Sequence, residues 1–124
     1  MTFRIIYRKQ PQLARSFSFF WFQRIYIDPG RYNELPSYAR RALIAHECSH
    51  LAGHDTEWRM LAVLCPLLWP LLGVICRWQE YMADDDAAHH GHARGMMYLL
   101  RKDTAASFTH PKNIDRRNKL LHTP

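Results

Sequence analysis

The sequence predicts an α+β fold, with a small antiparallel sheet of N-terminal strands packed on a mainly helical remainder. Three observations predict it. The stretches "TFRIIYR" and "SFSFFWFQRIYID" are dense in aromatic and β-branched residues, the composition of strands. From Ser37 onward the apolar residues recur at helical spacing. The chain has 124 residues, 48% of them hydrophobic and 23% charged, which suits one globular domain spanning 1–124.

Taken in order, "TFRIIYR" reads as a first strand, broken by "QPQ". "SFSFFWFQRIYID" reads as one long strand or a hairpin. Asp28-Pro29-Gly30 is turn chemistry. The segment "LPSYARRALIAHECSHLAG" then predicts a helix with Ser37 at its N-cap and Gly53 at its C-terminal stop. Between them Ala39, Ala42, Leu43, His46 and His50 share one face. The run Met60–Cys76 carries no charge, is flanked by Arg59 and Arg77, and is interrupted by Pro66 and Pro70. "RWQEYMADDDAAHH" predicts a helix ending at Gly91. "ARGMMYLLRK" predicts a short helix, and after a loop and "THP" a basic helix runs from about Lys112 to Leu121.

Bulk properties narrow the function. The formal net charge is +6, but the basic residues are scattered apart from "KNIDRRNK", which has no interleaved aromatic residue. No specific nucleic-acid partner is expected. Cys48, Cys65 and Cys76 are odd in number and form no CxxC, which suggests reduced thiols in a cytoplasmic setting. The opening residues carry charges throughout and lack the apolar core of a secretory signal.

The chemistry concentrates in "LIAHECSHLAGH", residues 43–54. Residues i and i+4 of a helix project from one face, so His46 and His50 of this HExxH can grip one zinc ion. Glu47 then lies beside the metal, placed to accept a proton from a bound water. Random placement of eight His and four Glu gives about 0.02 such motifs in a chain this long.

Two histidines make a poor zinc site, and three residues compete for the third place. His54 lies about 12 Å from His46 along an unbroken helix, too far for bonds of about 2.0–2.1 Å unless the helix breaks at Gly53. Glu80 on a later helix would give the thermolysin-type His₂Glu set, with Asp84 four residues on, placed to accept the free N–H of a ligand histidine. Glu57 is near in sequence but starts the next segment. The metzincin pattern is excluded, because it needs histidine where this chain has Thr56.

"ALIAHECSHLAGH", "RWQEYMADDDAA" and "THPKNIDRRNKL" together resemble the gluzincin metallopeptidases of the HtpX and CAAX-prenyl endopeptidase type, over roughly residues 20 to 120. The resemblance implies a minimal zincin-like core. It makes His46, His50 and Glu80 the ligands of one Zn²⁺, Glu47 the catalytic base and Asp84 the orienting carboxylate. His110 would sit near the site, steadying the oxyanion or closing over the metal. Two departures stand out: the family's multiple transmembrane helices are missing, and Cys48 replaces the bulky apolar residue usual inside HExxH.

This reading constrains the apolar run. If His50 and Glu80 bind one ion, a single crossing of Met60–Cys76 would separate them by about 30 Å. A short helical hairpin over 59–77 is expected instead, bent near Pro66 and Pro70 and inserted between the metal-binding helices. The default is that it forms core. Exposure of Leu67, Leu68, Trp69 and Leu71 would favour membrane or partner contact, peripheral to the membrane.

The expected function is a zinc metalloendopeptidase acting on a peptide or protein substrate, which could pair with the edge of the strand around Phe19–Ile27. The alternatives are a zinc-stabilised interaction or regulatory module without catalysis, and a basic membrane-surface protein whose histidines are incidental. The histidines at 89–92 read as surface residues at a helix end. Nothing in the sequence sets an oligomeric state.

Overall fold

Alternating burial over Gln23, Ile25 and Ile27 marks a strand with one face inward. This strand, β3 (Phe22–Ile27), is the centre of a three-stranded sheet. The computed structural model describes residues 3–102 and 110–122. β2 (Ala14–Phe19) pairs antiparallel with β3, with Ala14 opposite Ile27 and Phe19 opposite Phe22. The long aromatic stretch is therefore a hairpin. Its two-residue turn holds Phe20 at φ 55°, a left-handed conformation that is costly for a bulky side chain.

β1 (Arg4–Tyr7) lies on the other side of β3 and runs parallel to it. The expected antiparallel sheet is thus a mixed one. The reason is the connection: the chain leaves β1, crosses the end of β3 and returns along β2. β1 must therefore run opposite to β2 and alongside β3. Hydrogen bonds from Arg8 N–H to the Ile27 carbonyl and from Asp28 N–H to the Leu13 carbonyl pin this crossing.

Pro29 has its φ preset for a first helical position, so the Asp-Pro-Gly turn continues into a short helix, α1 (Pro29–Asn33). The long helix α2 (Ser37–Ala52) has its cap one residue earlier than expected. Pro36 is the N-cap and Ser37 the first helical residue, without a capping side-chain bond. Gly53 is the C-cap, as expected, but in a right-handed conformation. The left-handed residue that reverses the chain is His54, at φ 53°.

α3 (Asp55–Leu64) follows, then a single tight turn at Pro66–Leu68, then α4 (Trp69–Ala87). The axes bend by 111° at this break, where prolines 66 and 70 remove backbone donors. A wide turn at Ala88–His92, with Gly91 at φ 88°, leads into α5 (Ala93–Leu99). The last helix is α6 (Asn113–Leu121). The preceding loop and Thr109 of "THP" lie outside the described residues.

α2 is the hub. Leu51 with Ile25 and Ile27 packs it on the sheet, and Ala42 with Ala87, Met96, Leu100 and Leu120 packs it on the later helices. Small residues allow close approach: a Cβ on Gly95 would stand 2.4 Å from both Ala42 Cβ and the Tyr38 carbonyl oxygen. α4 crosses α2 where His46 and His50 face inward, which brings Glu80 opposite them.

The apolar run departs from the expected core. One face of α3 and α4 is buried through Ala62, Gly73 and Cys76, but Leu61, Leu64, Leu67, Trp69, Leu71 and Val74 are exposed. Helix–helix packing consumes only one stripe of each helix, and these segments are apolar on both. Among the described residues no single helix is long and apolar enough to cross a membrane.

Candidate metal centre

The site begins with helical spacing. His46 and His50 are one turn apart on α2, with rings 4.7 Å apart between centroids and nearly perpendicular. Their Nε2 atoms converge at 3.2 Å. Glu80, from α4, brings Oε2 to 3.4 Å from His46 Nε2 and Oε1 to 3.3 Å from His50 Nε2. All three side chains are buried, and their ligand atoms lie within 4.8 Å of one another.

These separations fit a metal. Ligands at about 2.0–2.1 Å on a tetrahedron stand about 3.3–3.4 Å apart. The opposite ring nitrogens are held by carboxylates. His50 Nδ1 is 2.6 Å from Asp55 Oδ2, and His46 Nδ1 is 3.0 Å from Asp84 Oδ1. When both Nδ1 atoms carry their protons toward these carboxylates, two Nε2 lone pairs face each other and need a cation between them. The buried His46–His50–Glu80 group could therefore bind a metal ion.

Cations hold the carboxylates in turn. Arg116, from α6, donates Nε and Nη2 to the two oxygens of Asp84, each at 2.7 Å, and its Nη2 is 3.4 Å from Glu80. Arg59 donates Nε to Gln79 Oε1 at 2.5 Å, and its Nη2 is 3.5 Å from Glu80. By formal charge, the carboxylates of Glu47, Asp55, Glu80 and Asp84 outnumber the guanidiniums of Arg59 and Arg116 by two. A divalent cation, or two imidazolium protons, balances the group.

The pKa directions express the same balance in the metal-free protein. Burial lowers the His46 imidazole, but hydrogen bonding and charge from Asp84 and Glu80 outweigh it and push it up to about 10. His50 is also raised, burial being overcome by Asp55 and Glu80. Glu80 lies far below the usual carboxylate range, because the two histidines overcome the effect of burial. Asp84 is likewise lowered, chiefly by Arg116 against its own desolvation. Burial pushes the Cys48 thiol up, which argues against a thiolate nucleophile inside the motif.

The structure thus brings together His46, His50, Glu80 and Asp84. Glu47 is buried beside them and, with His110 and Arg116, lines a cavity of about 730 Å³ that opens against Ala14–Ser16 of β2. His110 is exposed at the cavity wall. His54 and Glu57 stand apart from the cluster and pair with each other at 2.6 Å, with Glu57 also accepting from Ser18 Oγ. The histidines at 89 and 90 are exposed, their Nδ1 atoms on the carbonyls of Asp85 and Asp86.

Sequence reasoning gave no role to Asp55 or Arg116. On a continuous helix Asp55 would point away from His50. The reversal at His54 returns it, and Gly53 leaves it room, since a Cβ there would stand 2.8 Å from Asp55 Oδ1. A HxxGH-D sequence at a helix end is the signal that was present. Arg116 lies within the stretch "THPKNIDRRNKL" that carries part of the resemblance, but only the fold shows its grip on Asp84. Compared with protein families, curated proteins and solved structures, the chain matches none.

Proposed function

We propose that this chain is a zinc-dependent endopeptidase of the gluzincin type. The observation that carries the reading is the convergence of His46 Nε2, His50 Nε2 and the Glu80 carboxylate, whose two oxygens stand 3.4 and 3.3 Å from the two nitrogens, at a cavity that Glu47 of the same HExxH motif also lines. Two nitrogens and one carboxylate suit zinc and leave a fourth position for solvent or substrate. When bound, zinc supplies a water acidified toward pKa about 7 and an electrophile for the substrate carbonyl.

The chain's own residues supply the rest. Glu47 takes a proton from the attacking water and delivers it to the leaving amine. His110, on the cavity wall, donates to the carbonyl oxygen as negative charge develops there. Asp55 and Asp84 fix the ring orientations of His50 and His46.

The substrate strand docks on β2. The sequence placed this role around Phe19–Ile27, but β3 is paired on both sides and has no free edge. β2 is an edge strand, and Ser18 N–H on its outer side donates to Thr56 Oγ1. By strand alternation Ala14 and Ser16 present their backbone groups on that same side, at the cavity.

The test pairs elemental analysis with cleavage of a peptide library followed by mass spectrometry. One zinc per chain and discrete cleavage products are expected. Glu47→Gln should retain the zinc and lose cleavage. Cleavage by Glu47→Gln, or a zinc-loaded parent that cleaves nothing in the library, overturns the proposal.

A further inference from the structure

Pleating sorts the N-terminal strands into two faces. Ile5, Ser18, Gln23, Ile25 and Ile27 turn inward, toward α2 and α3. Residues paired across the sheet share a face, so the other face reads Phe22, Arg24, Tyr26 along β3 and Phe19, Phe17, Arg15 beside them along β2. Arg4 of β1 lies next to Arg24. None of these seven residues is buried. The Arg24 guanidinium lies 4.0 Å over the Phe22 ring, and that of Arg8 lies 4.2 Å over Tyr26. Phe17 meets Phe22 edge-on at 6.1 Å. The row of rings continues into the hairpin turn, with Phe19 4.7 Å from Phe20 and Phe20 6.0 Å from Trp21. Trp58, Trp69 and Trp78 are exposed on α3 and α4, and the fourth tryptophan, Trp21, stands 89% exposed on this turn.

Charge gathers on the same element. Five of the chain's six net positive charges lie in its first 27 residues, which hold Arg4, Arg8, Lys9, Arg15 and Arg24 and no Asp or Glu. Among the described residues none of these four arginines pairs with a carboxylate. The acidic residues beside the sheet are already engaged, Asp28 by Arg31 and Glu57 by His54 and Ser18. The basic residues that look scattered along the sequence are thus collected by the sheet, at the opposite end of the chain from "KNIDRRNK".

The alternation selects the occupant. Along each strand a ring and a guanidinium follow one another every second residue, about 6.6–6.8 Å apart. A polynucleotide alternates flat bases with phosphates, and its bases stack on aromatic and guanidinium planes alike. A duplex hides those base faces, whereas a single strand offers them. A bilayer takes up apolar side chains with the cations held at its rim. Here Arg8 and Arg24 lie on the rings themselves and would be carried into hydrocarbon, where arginine is costly. A second copy would set the same positive face against itself.

We infer that the outer face of the sheet binds single-stranded nucleic acid without base preference, the bases stacking on Phe17, Phe19, Phe22 and Tyr26 and the phosphates pairing with the arginines between them. This holds independently of the metal centre and of peptidase activity.

The test uses the full chain and a fluorescein-labelled oligouridylate of about 12 nucleotides, read by anisotropy. Binding is expected at low salt, with log K falling against log salt at a slope of about −1.4 to −2.8, for two to four phosphate contacts. Phe19→Thr/Phe22→Thr removes two exposed rings and keeps residues suited to strands, so its circular dichroism should match the parent. Its affinity should fall at least about tenfold with the slope unchanged. Arg15→Gln/Arg24→Gln should weaken binding and flatten the slope by about 0.7–1.4. Arg94→Gln/Arg101→Gln removes the same charge at exposed residues outside the sheet and should bind as the parent does. No binding at low salt, undiminished binding by the ring variant, or an equal loss in the Arg94/Arg101 variant overturns the inference. So does equal or tighter binding to a duplex of the same length. Binding to phosphatidylglycerol vesicles that the oligonucleotide fails to compete also overturns it, and would assign the face to lipid.

Discussion

Replacing Arg116 with Met strands a buried charge and measures how firmly α6 is tied to the site. The guanidinium donates twice to Asp84 at 2.7 Å and sits 3.4 Å from Glu80, with side-chain exposures of 11% for Arg116 and 3% for Asp84. Breaking a buried pair by removing one partner costs about 3–5 kcal/mol, whereas removing both partners is close to neutral. A chain of this length has roughly 6–19 kcal/mol of total stability, so R116M should lose a sizeable share of it. The double variant Asp84→Leu/Arg116→Met should recover most of the loss. The assay is urea denaturation with chelator present. Asp84 is held below its ordinary value of 3.8, so its contribution is present above that pH and lost as pH falls further. The gap between parent and R116M should therefore hold at neutral pH and shrink on strong acidification. A single variant within about 1 kcal/mol of the parent would refute the reasoning, as would a double variant as unstable as the two singles added together.

Other outcomes follow from the same geometry. Asp55→Ala should weaken zinc binding about 10–100-fold, near 1.4–2.7 kcal/mol, by competition with a chromophoric chelator, while unchanged affinity would show that Asp55 does not orient His50. Gly53→Ala should weaken binding in the same direction, because its Cβ displaces the Asp55 carboxylate while the backbone, at φ −80°, accepts alanine without strain. At pH 7 the metal-free His46 is protonated, its pKa being raised to about 10, so zinc uptake should release at least about one proton per ion. Calorimetry in buffers of different ionisation enthalpy reads this, and buffer-independent heats would contradict it. Gly95→Ala should destabilise the protein by about 1–3 kcal/mol through its clash with Ala42 and Tyr38, and a melting temperature equal to the parent's would show that α2 and α5 do not pack so closely.

Much of the site is legible in the sequence because helix geometry is rigid. His46 and His50 sit four apart, and so do Glu80 and Asp84. A four-residue step on a helix leaves little freedom in where side chains point. Asp55 is not legible in this way. Its position depends on one residue, His54, adopting a left-handed conformation, which nothing in the residue type requires. Arg116 acts across more than thirty residues of chain, and only the fold fixes such a separation. Within the sheet, the strands are readable from composition, but the parallel pairing of β1 is not. Strand composition is the same for either direction, and the connection after Tyr7 decides it.

The apolar run shows a different limit. Its hydropathy fits a buried helix, a membrane element or a docking surface equally well, because composition records how much apolar surface exists and not which partner covers it. The clustering of His50, before the run, with Glu80, after it, removes a single membrane crossing, because the chain has to return to the side it left. Packing removes another. α2 and the short later helices cover one stripe of α3 and α4, and no further described element lies over the second stripe. Closing the site therefore forces the apolar hairpin outward. The fold that completes a His₂Glu cluster in so short a chain is also the fold that leaves Leu64, Leu67 and three tryptophans at the surface.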